Sequence, residues 1–181
     1  MNKWNSFLIK VLVIIFFSGF TSCSNSQSKR GNTKHAPLTL DETIEMNRRM
    51  VDSEQNEIAR YVEENNLDLK ASETGLWYHI DEPGSGSFIQ AGKVVTLAYE
   101  VSLLDGTICY SSDSTGYKTF LVGQGGVESG LEEGVLLLKK GSRATFIMPP
   151  HLAHGLIGDR DKIPARAILR YEVKVIDVKN K

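Results

Sequence analysis

The chain has 181 residues, with 21 Lys and Arg against 22 Asp and Glu and a formal net charge of −1 at pH 7. That length holds one modest domain with extensions. The near-balanced charge excludes the basic footprint that a nucleic-acid binder needs. It also argues against attraction to anionic lipid head groups.

Residues 1–22 read as a targeting segment. Lys3 gives a positive start, and Val11 to Phe17 is an uninterrupted apolar run, too short to span a bilayer and bounded by Lys10. The small residues Thr21 and Ser22 precede Cys23. This order resembles a bacterial lipoprotein signal, with Phe20 where an aliphatic residue is usual. The resemblance implies that Cys23 becomes the lipidated first residue of the mature chain, anchored to a membrane. An ordinary secretory signal or an uncleaved anchor are the alternatives. With Cys23 lipidated, Cys109 is the single remaining thiol and no intrachain disulfide forms.

Residues 23–38 are polar and without apolar periodicity, a flexible tether. Thr39 or Asp41 then starts an amphipathic helix running to about Asn66, with Ile44, Met50, Ile58, Tyr61 and Val62 as a stripe broken near Asp52-Ser53-Glu54. This helix and a strand over Leu76–Ile80 fill residues 39–85. Residues 86–181 carry the remaining strand and turn signals. Val94–Val101 is a strand turned back by Asp105-Gly106. Phe120–Val122 is a short apolar run closed by Gly123. Ser129, with Glu132 three residues on, has the form of a capping box. Leu131, Val135 and Leu138 then share one face of a short helix ending near Lys139-Lys140-Gly141. Ala144–Met148 is a strand stopped by Pro149-Pro150, and Ala167–Val178 is the last strand. One short helix among strands and long loops predicts an α+β fold: an antiparallel sheet wrapped over that helix, with an N-terminal helical extension.

The segments VVTLAYEVSLLDGTICYSS, VGQGGVESGLEEGV, KKGSRATFIMPPHLAHG and IPARAILRYEVKVIDV together resemble an FKBP-type peptidyl-prolyl cis-trans isomerase domain. The match covers roughly ninety residues, about one small domain. The layout, leader included, resembles the FKBP-type lipoproteins associated with gliding motility. In related proteins a preceding helix forms a dimerisation arm; packing on its own domain is the alternative, favoured by a stripe that is short for a coiled coil.

The resemblance implies a catalyst of rotation about X–Pro amides, or else a non-catalytic chaperone that keeps the groove. Its partners would be proline-containing segments of unfolded or folding exported proteins, met at the cell envelope by a chain anchored to the membrane and facing the periplasm. No cofactor or metal is implied, and His35, His79, His151 and His154 show no metal-ligand spacing with the cysteines. The implied pocket comprises Tyr99, Val127, Leu131, His154, Ile163 and Tyr171, with Cys109, Tyr110 and Glu128 on its rim. For each of these a plain core role is the competing reading. Three departures from the family pattern stand out: Cys109-Tyr110 replaces Phe-Asp, Leu131 replaces a frequent Trp, and His154 replaces the Tyr of Ala-Tyr-Gly. His154 would then donate through a ring N–H, unless it is a solvated loop residue. Cys109 reads as an apolar filler rather than a nucleophile.

Overall fold

A computed structural model describes residues 38–181. The leader, Cys23 and nearly all of the tether lie outside these residues.

Thr39 starts the first helix, α1 (Leu40–Glu64): its hydroxyl accepts from the Glu42 N–H while the Glu42 carboxylate accepts from the Thr39 N–H, a reciprocal capping box. The helix is continuous through Asp52-Ser53-Glu54, where its apolar stripe lapses. Glu54 is buried there and accepts from Arg166 at 2.9 Å, so an acid that looks like an interruption is an anchor to the domain. Gln55 adds a second tie, accepting from the Trp77 indole at 2.8 Å and donating to the Gly75 carbonyl at 3.1 Å. Ile58, fully buried, meets Ile147 and Ile168 beneath it. The second half of α1 therefore packs on its own domain. The first half does not: Leu40 is 74% exposed and Ile44 50%.

Seven strands follow: β1 (Lys70–Ala71), β2 (Trp77–Glu82), β3 (Lys93–Leu103), β4 (Ile108–Ser111), β5 (Lys118–Leu121), β6 (Arg143–Met148) and β7 (Leu169–Asn180). They form one antiparallel sheet in the order β1-β2-β6-β7-β3-β4. Both β4 and β5 pair with β3, at Glu100–Ser102 and Val94–Leu97 respectively. The one-turn helix α2 (Ser112–Thr115) carries the chain between them. Strand β2, which the sequence reading groups with the N-terminal segment, pairs with β6 from Trp77↔Ile147 to Glu82↔Arg143 and is integral to the sheet.

Side-chain alternation gives this sheet two unlike faces. Ala144, Phe146 and Met148 of β6, and Leu169, Tyr171, Val173 and Val175 of β7, point to the core under the short helix α3 (Ser129–Val135). Ile147 and Trp77 point outward and are covered by α1. The helix α3 buries Leu131 and Val135 completely, as the predicted spacing requires, with Leu138 just beyond it.

Both ends of α3 differ from the expectation. Its N-cap is Glu128, without a side-chain cap bond, rather than Ser129. Glu132 does not reach back to complete a capping box: its carboxylate accepts from the Gly123 and Gly125 N–H groups at 2.6 and 3.1 Å, tying the preceding turn to the helix. The helix also ends at Val135, not near Lys139. Leu136, Leu137 and Leu138 bond back three residues, to Glu133, Gly134 and Val135, so the chain tightens and leaves the helical path.

The approach of α3 to the sheet is set by glycine. A Cβ on Gly134 would lie 2.6 Å from the Phe146 ring, and one on Gly130 would lie 2.9 Å from the Met148 sulfur. Gly134→Ala should therefore cost about 1–3 kcal/mol through overpacking, despite the better helix propensity of Ala. Thermal unfolding of the two proteins checks this; an unchanged or higher melting temperature would mean that α3 has room to lift.

Candidate functional site

Four elements converge at one end of the core. The strand β3 brings Tyr99, β7 brings Tyr171, the turn into α3 brings Val127 with Leu131 one turn later, and the β6–β7 loop brings Ile163. Leu131, Ile163 and Tyr171 are buried, while Tyr99, Val127 and Tyr110 are half-buried against them. Five of the six residues assigned to the pocket thus share one cluster, joined by Tyr110 of the rim, and the sixth, His154, lies beside it through Glu128.

Glu128, expected on the rim, points inward. Its side chain is only 9% exposed. One carboxylate oxygen accepts from the Tyr171 hydroxyl at 2.6 Å and from His154 Nε2 at 3.0 Å. Since a carboxylate only accepts, that histidine nitrogen carries a proton. The other oxygen lies 3.4 Å from the Lys118 ammonium. Burial pushes the Glu128 carboxyl up, but the Lys118 charge and the Tyr171 hydroxyl outweigh it and hold the group below the usual carboxylate range. For Tyr171, burial and the neighbouring carboxylate push the phenol far up, so it stays a donor.

Lys118 was not singled out from the sequence. It sits two residues before the buried Phe120 on β5, and a period of two therefore places it on the inner side. Its ammonium lies 5.2 Å from the centroid of the Tyr99 ring and 6.0 Å from that of Tyr171, within cation–π range of both. Tyr99 is steadied at its outer end by Thr115, hydroxyl to hydroxyl at 2.7 Å.

The opposite wall is organised by Asp159, which sequence reading also passed over. Its carboxylate accepts from the backbone N–H groups of Asp161 and Ile163 at 2.9 and 2.8 Å, and from the Tyr110 hydroxyl. Desolvation is the largest single influence on Asp159 and pushes its carboxyl up, but these donors together outweigh it and keep the group well below the ordinary value. The same bond, above all, pushes the Tyr110 phenol up. Tyr110 stands where the resemblance leads one to expect an aspartate, and its hydroxyl recruits a carboxylate from the loop instead. Gly158 makes the loop's tight return: it has φ +66°, and a Cβ there would lie 2.1 Å from the Ile163 carbonyl oxygen. Cys109 is buried behind this wall, near the Lys162 carbonyl. Burial, and then the carboxylates of Asp159 and Asp105, push its thiol up, which disfavours a nucleophilic thiolate.

Three hollows lie outside the cluster: one of about 460 Å³ between α1 and the turn at Leu103–Asp105, one of about 500 Å³ on the outer sheet face, which Tyr99 also lines, and one of about 520 Å³ along the exposed first half of α1. In the first two, charged residues are paired within the fold, Glu54 with Arg166 and Arg170 with Glu172.

The family model described as FKBP-type peptidyl-prolyl cis-trans isomerase matches residues 85–176. The chain belongs to that family. Among FKBP-type relatives, it is 40% identical over 111 residues to the probable FKBP-type isomerase FkpA of Neisseria meningitidis serogroup B, a match covering 61% of this chain and 40% of that one. It is 34% identical over 115 residues to a probable FKBP-type isomerase of Haemophilus influenzae, covering 63% of this chain and 47% of the other. The chain thus spans under half the length of these relatives. The crystal structure of FkpA from Escherichia coli superposes with a TM-score of 0.60 at 26% identity, covering 80% of this chain and 75% of that chain. The crystal structure of AtFKBP13 gives 0.58 at 27% identity, covering 61% and 98%. The FKBP fold expected from the sequence, a sheet over one short helix with a helix in front, is the fold of this protein.

The depressed Glu128 carboxyl has a consequence for stability. A carboxyl lowered on folding contributes stability that is present above its ordinary value of 4.5 and is lost as pH falls through the folded value. Between about pH 5 and 3 the wild type should lose stability more steeply than Glu128→Gln, which cannot titrate there. Denaturant melts of both at several pH values measure the difference; parallel curves would mean that Glu128 gains nothing from its partners.

Proposed function

We propose that this chain is a peptidyl-prolyl cis-trans isomerase acting on X–Pro bonds of exported proteins, held at the cell envelope by a lipid on Cys23 and facing the periplasm. The observation that carries the activity is the joining of Tyr99, Val127, Leu131, Ile163 and Tyr171 into one aromatic and aliphatic cluster in a family of isomerases.

The chemistry asks little more of the site. Rotation about the amide must cross about 18–20 kcal/mol, because resonance is lost at the twisted state. An apolar surface that removes water from the polarised carbonyl destabilises the planar form, and a better fit to the twisted imide lowers the barrier. Neither effect calls for a nucleophile, a metal or a cofactor. In this reading Tyr99 and Tyr171 flank the prolyl ring, Leu131 forms a smaller floor than an indole would, and Ile163 is the aliphatic wall pinned by Asp159. His154 is the candidate donor to the substrate carbonyl. Its Nε2 proton is committed to Glu128 at 3.0 Å, so donation requires that bond to be exchanged or the other ring nitrogen to be protonated.

A non-catalytic holding module is the second reading. What favours it is the altered pocket: Leu131 gives a smaller floor than an indole, and the His154 Nε2 proton is committed to Glu128 at 3.0 Å. A protease-free isomerisation assay on a panel of X–Pro peptides separates the two. The isomerase reading expects exchange above the uncatalysed rate, raised further by His154→Tyr, since a phenol hydroxyl reaches beyond an imidazole. Exchange at the uncatalysed rate in both proteins, with peptide binding retained, would establish the holding module.

The lipid anchor rests on the charged start, the short apolar run and the order Thr21-Ser22-Cys23. The resemblance to gliding-motility lipoproteins suggests that setting for the clients. Mass spectrometry of the mature N-terminus should find diacylglyceryl-modified Cys23; an unlipidated start elsewhere would remove the anchor. For α1, the exposed first half supports a dimer arm, and the docked second half supports packing on its own domain.

A further inference from the structure

We infer that Lys118 sets the substrate preference of this cluster, favouring X–Pro segments that carry a carboxylate within one residue of the proline; the inference rests on the prolyl-binding reading above.

Lys118 already holds the place that a prolyl ring needs. Its ammonium lies over the faces of Tyr99 and Tyr171, the two aromatic walls, at 5.2 and 6.0 Å from their centroids. A ring seated between those walls must move it. Lys118 is also the member of the buried cluster that can move. Its contact with Glu128 is the longest of the three, 3.4 Å, against 2.6 Å for Tyr171 and 3.0 Å for His154. When Lys118 leaves, Glu128 keeps two donors. The lysine side chain is 26% exposed, so a route to solvent exists at the rim. Its flexible four-carbon stem lets the head swing out while the stem still covers apolar surface.

Once displaced, the ammonium stands at the edge of the occupied site without its former partner. A carboxylate on the bound segment restores an ion pair there, whereas a neutral neighbour does not and a basic one is repelled. The other wall does not compete for that carboxylate: it presents Asp159 and Asp161, with Lys162 turned over the Tyr110 ring at 5.2 Å. An acidic segment is therefore steered to the Lys118 side.

The test uses the full chain and capped pentapeptides with Glu immediately before or after proline, each beside its Gln counterpart. Titration calorimetry at low salt gives the affinity ratio for each pair. In the wild type at least one Glu peptide should bind roughly tenfold tighter than its Gln counterpart, the worth of one charge-assisted pair less its desolvation, and added salt should shrink the ratio. Lys118→Arg should keep the preference. Lys118→Met should bring the ratio to about one, as should Lys118→Met/Glu128→Gln, which removes the pair as a neutral unit if the single change does not fold. A ratio of one in the wild type, or a ratio that survives loss of the lysine, overturns the inference and leaves prolyl binding standing. If no peptide binds the wild type or any variant, both this inference and the prolyl-binding reading fall.

Discussion

The close seating of α3 on β6 governs the geometry of the whole site. Because Gly134 and Gly130 have no side chains, the helix rests on the Phe146 ring and the Met148 sulfur with nothing between. A helix one methyl group farther out would carry Leu131 away from Tyr171, and Val127 and Glu128 with it, since both lie on the turn that enters the helix. Glu132 then locks that turn by accepting from Gly123 and Gly125. Core packing and site geometry are here one constraint: the residues that bury most completely are also those that place the candidate pocket. A protein interior packs at crystal-like density, so such a contact transmits displacement rather than absorbing it.

Into this dry setting the chain puts a carboxylate. An isolated buried charge is costly, and it persists only when hydrogen-bonded and paired. Glu128 meets both conditions, with the Tyr171 hydroxyl and His154 as donors and Lys118 as counter-charge. The arrangement explains why β7 carries a tyrosine at this point: a phenylalanine would leave the nearer carboxylate oxygen with one donor fewer. A similar economy operates on the far wall, where Tyr110 takes up the Asp159 carboxylate that also holds Ile163. Two tyrosine–carboxylate pairs thus brace the two sides of an otherwise apolar cluster.

The parts of this design that repeat along the chain were legible in the sequence. The i, i+4, i+7 spacing of Leu131, Val135 and Leu138 states a buried face, and all three are fully buried. The alternation of Tyr171, Val173 and Val175 with Glu172 and Lys174 states a half-buried strand, and all three apolar members are buried in the core. The parts that depend on a distant partner were not. Glu54 looks like a flaw in an amphipathic stripe until Arg166, 112 residues on, supplies its ion pair. Ser129 and Glu132 have the letters of a capping box, yet Glu132 finds two backbone donors in the Gly123–Gly125 turn folded against the helix. Lys118 and Asp159 are charged residues in short segments, and a charge alone reads as solvent-facing. The period of two with Phe120 was the available sign for Lys118; for Asp159 the Gly158-Asp159 pair marks a turn but not what the carboxylate would hold.

A cluster that its own lysine occupies bears on catalysis in a specific way. Opening it costs the same free energy whether the peptide that enters is planar or twisted. That cost scales down the apparent affinity by the fraction of molecules open, and it lowers kcat/KM without raising the barrier for substrate once bound. Closure therefore does not by itself distinguish an isomerase from a holding module. What distinguishes them lies beneath the lysine: whether the surface made by Tyr99, Leu131, Ile163 and Tyr171 fits the twisted imide better than the planar one. Leu131 matters most here. A leucine floor is smaller and less rigid than an indole, so in the proposed site it would give less to discriminate with. The remaining discrimination there would have to come from the walls and from His154, so the two tyrosine–carboxylate braces would bear on function as well as on packing.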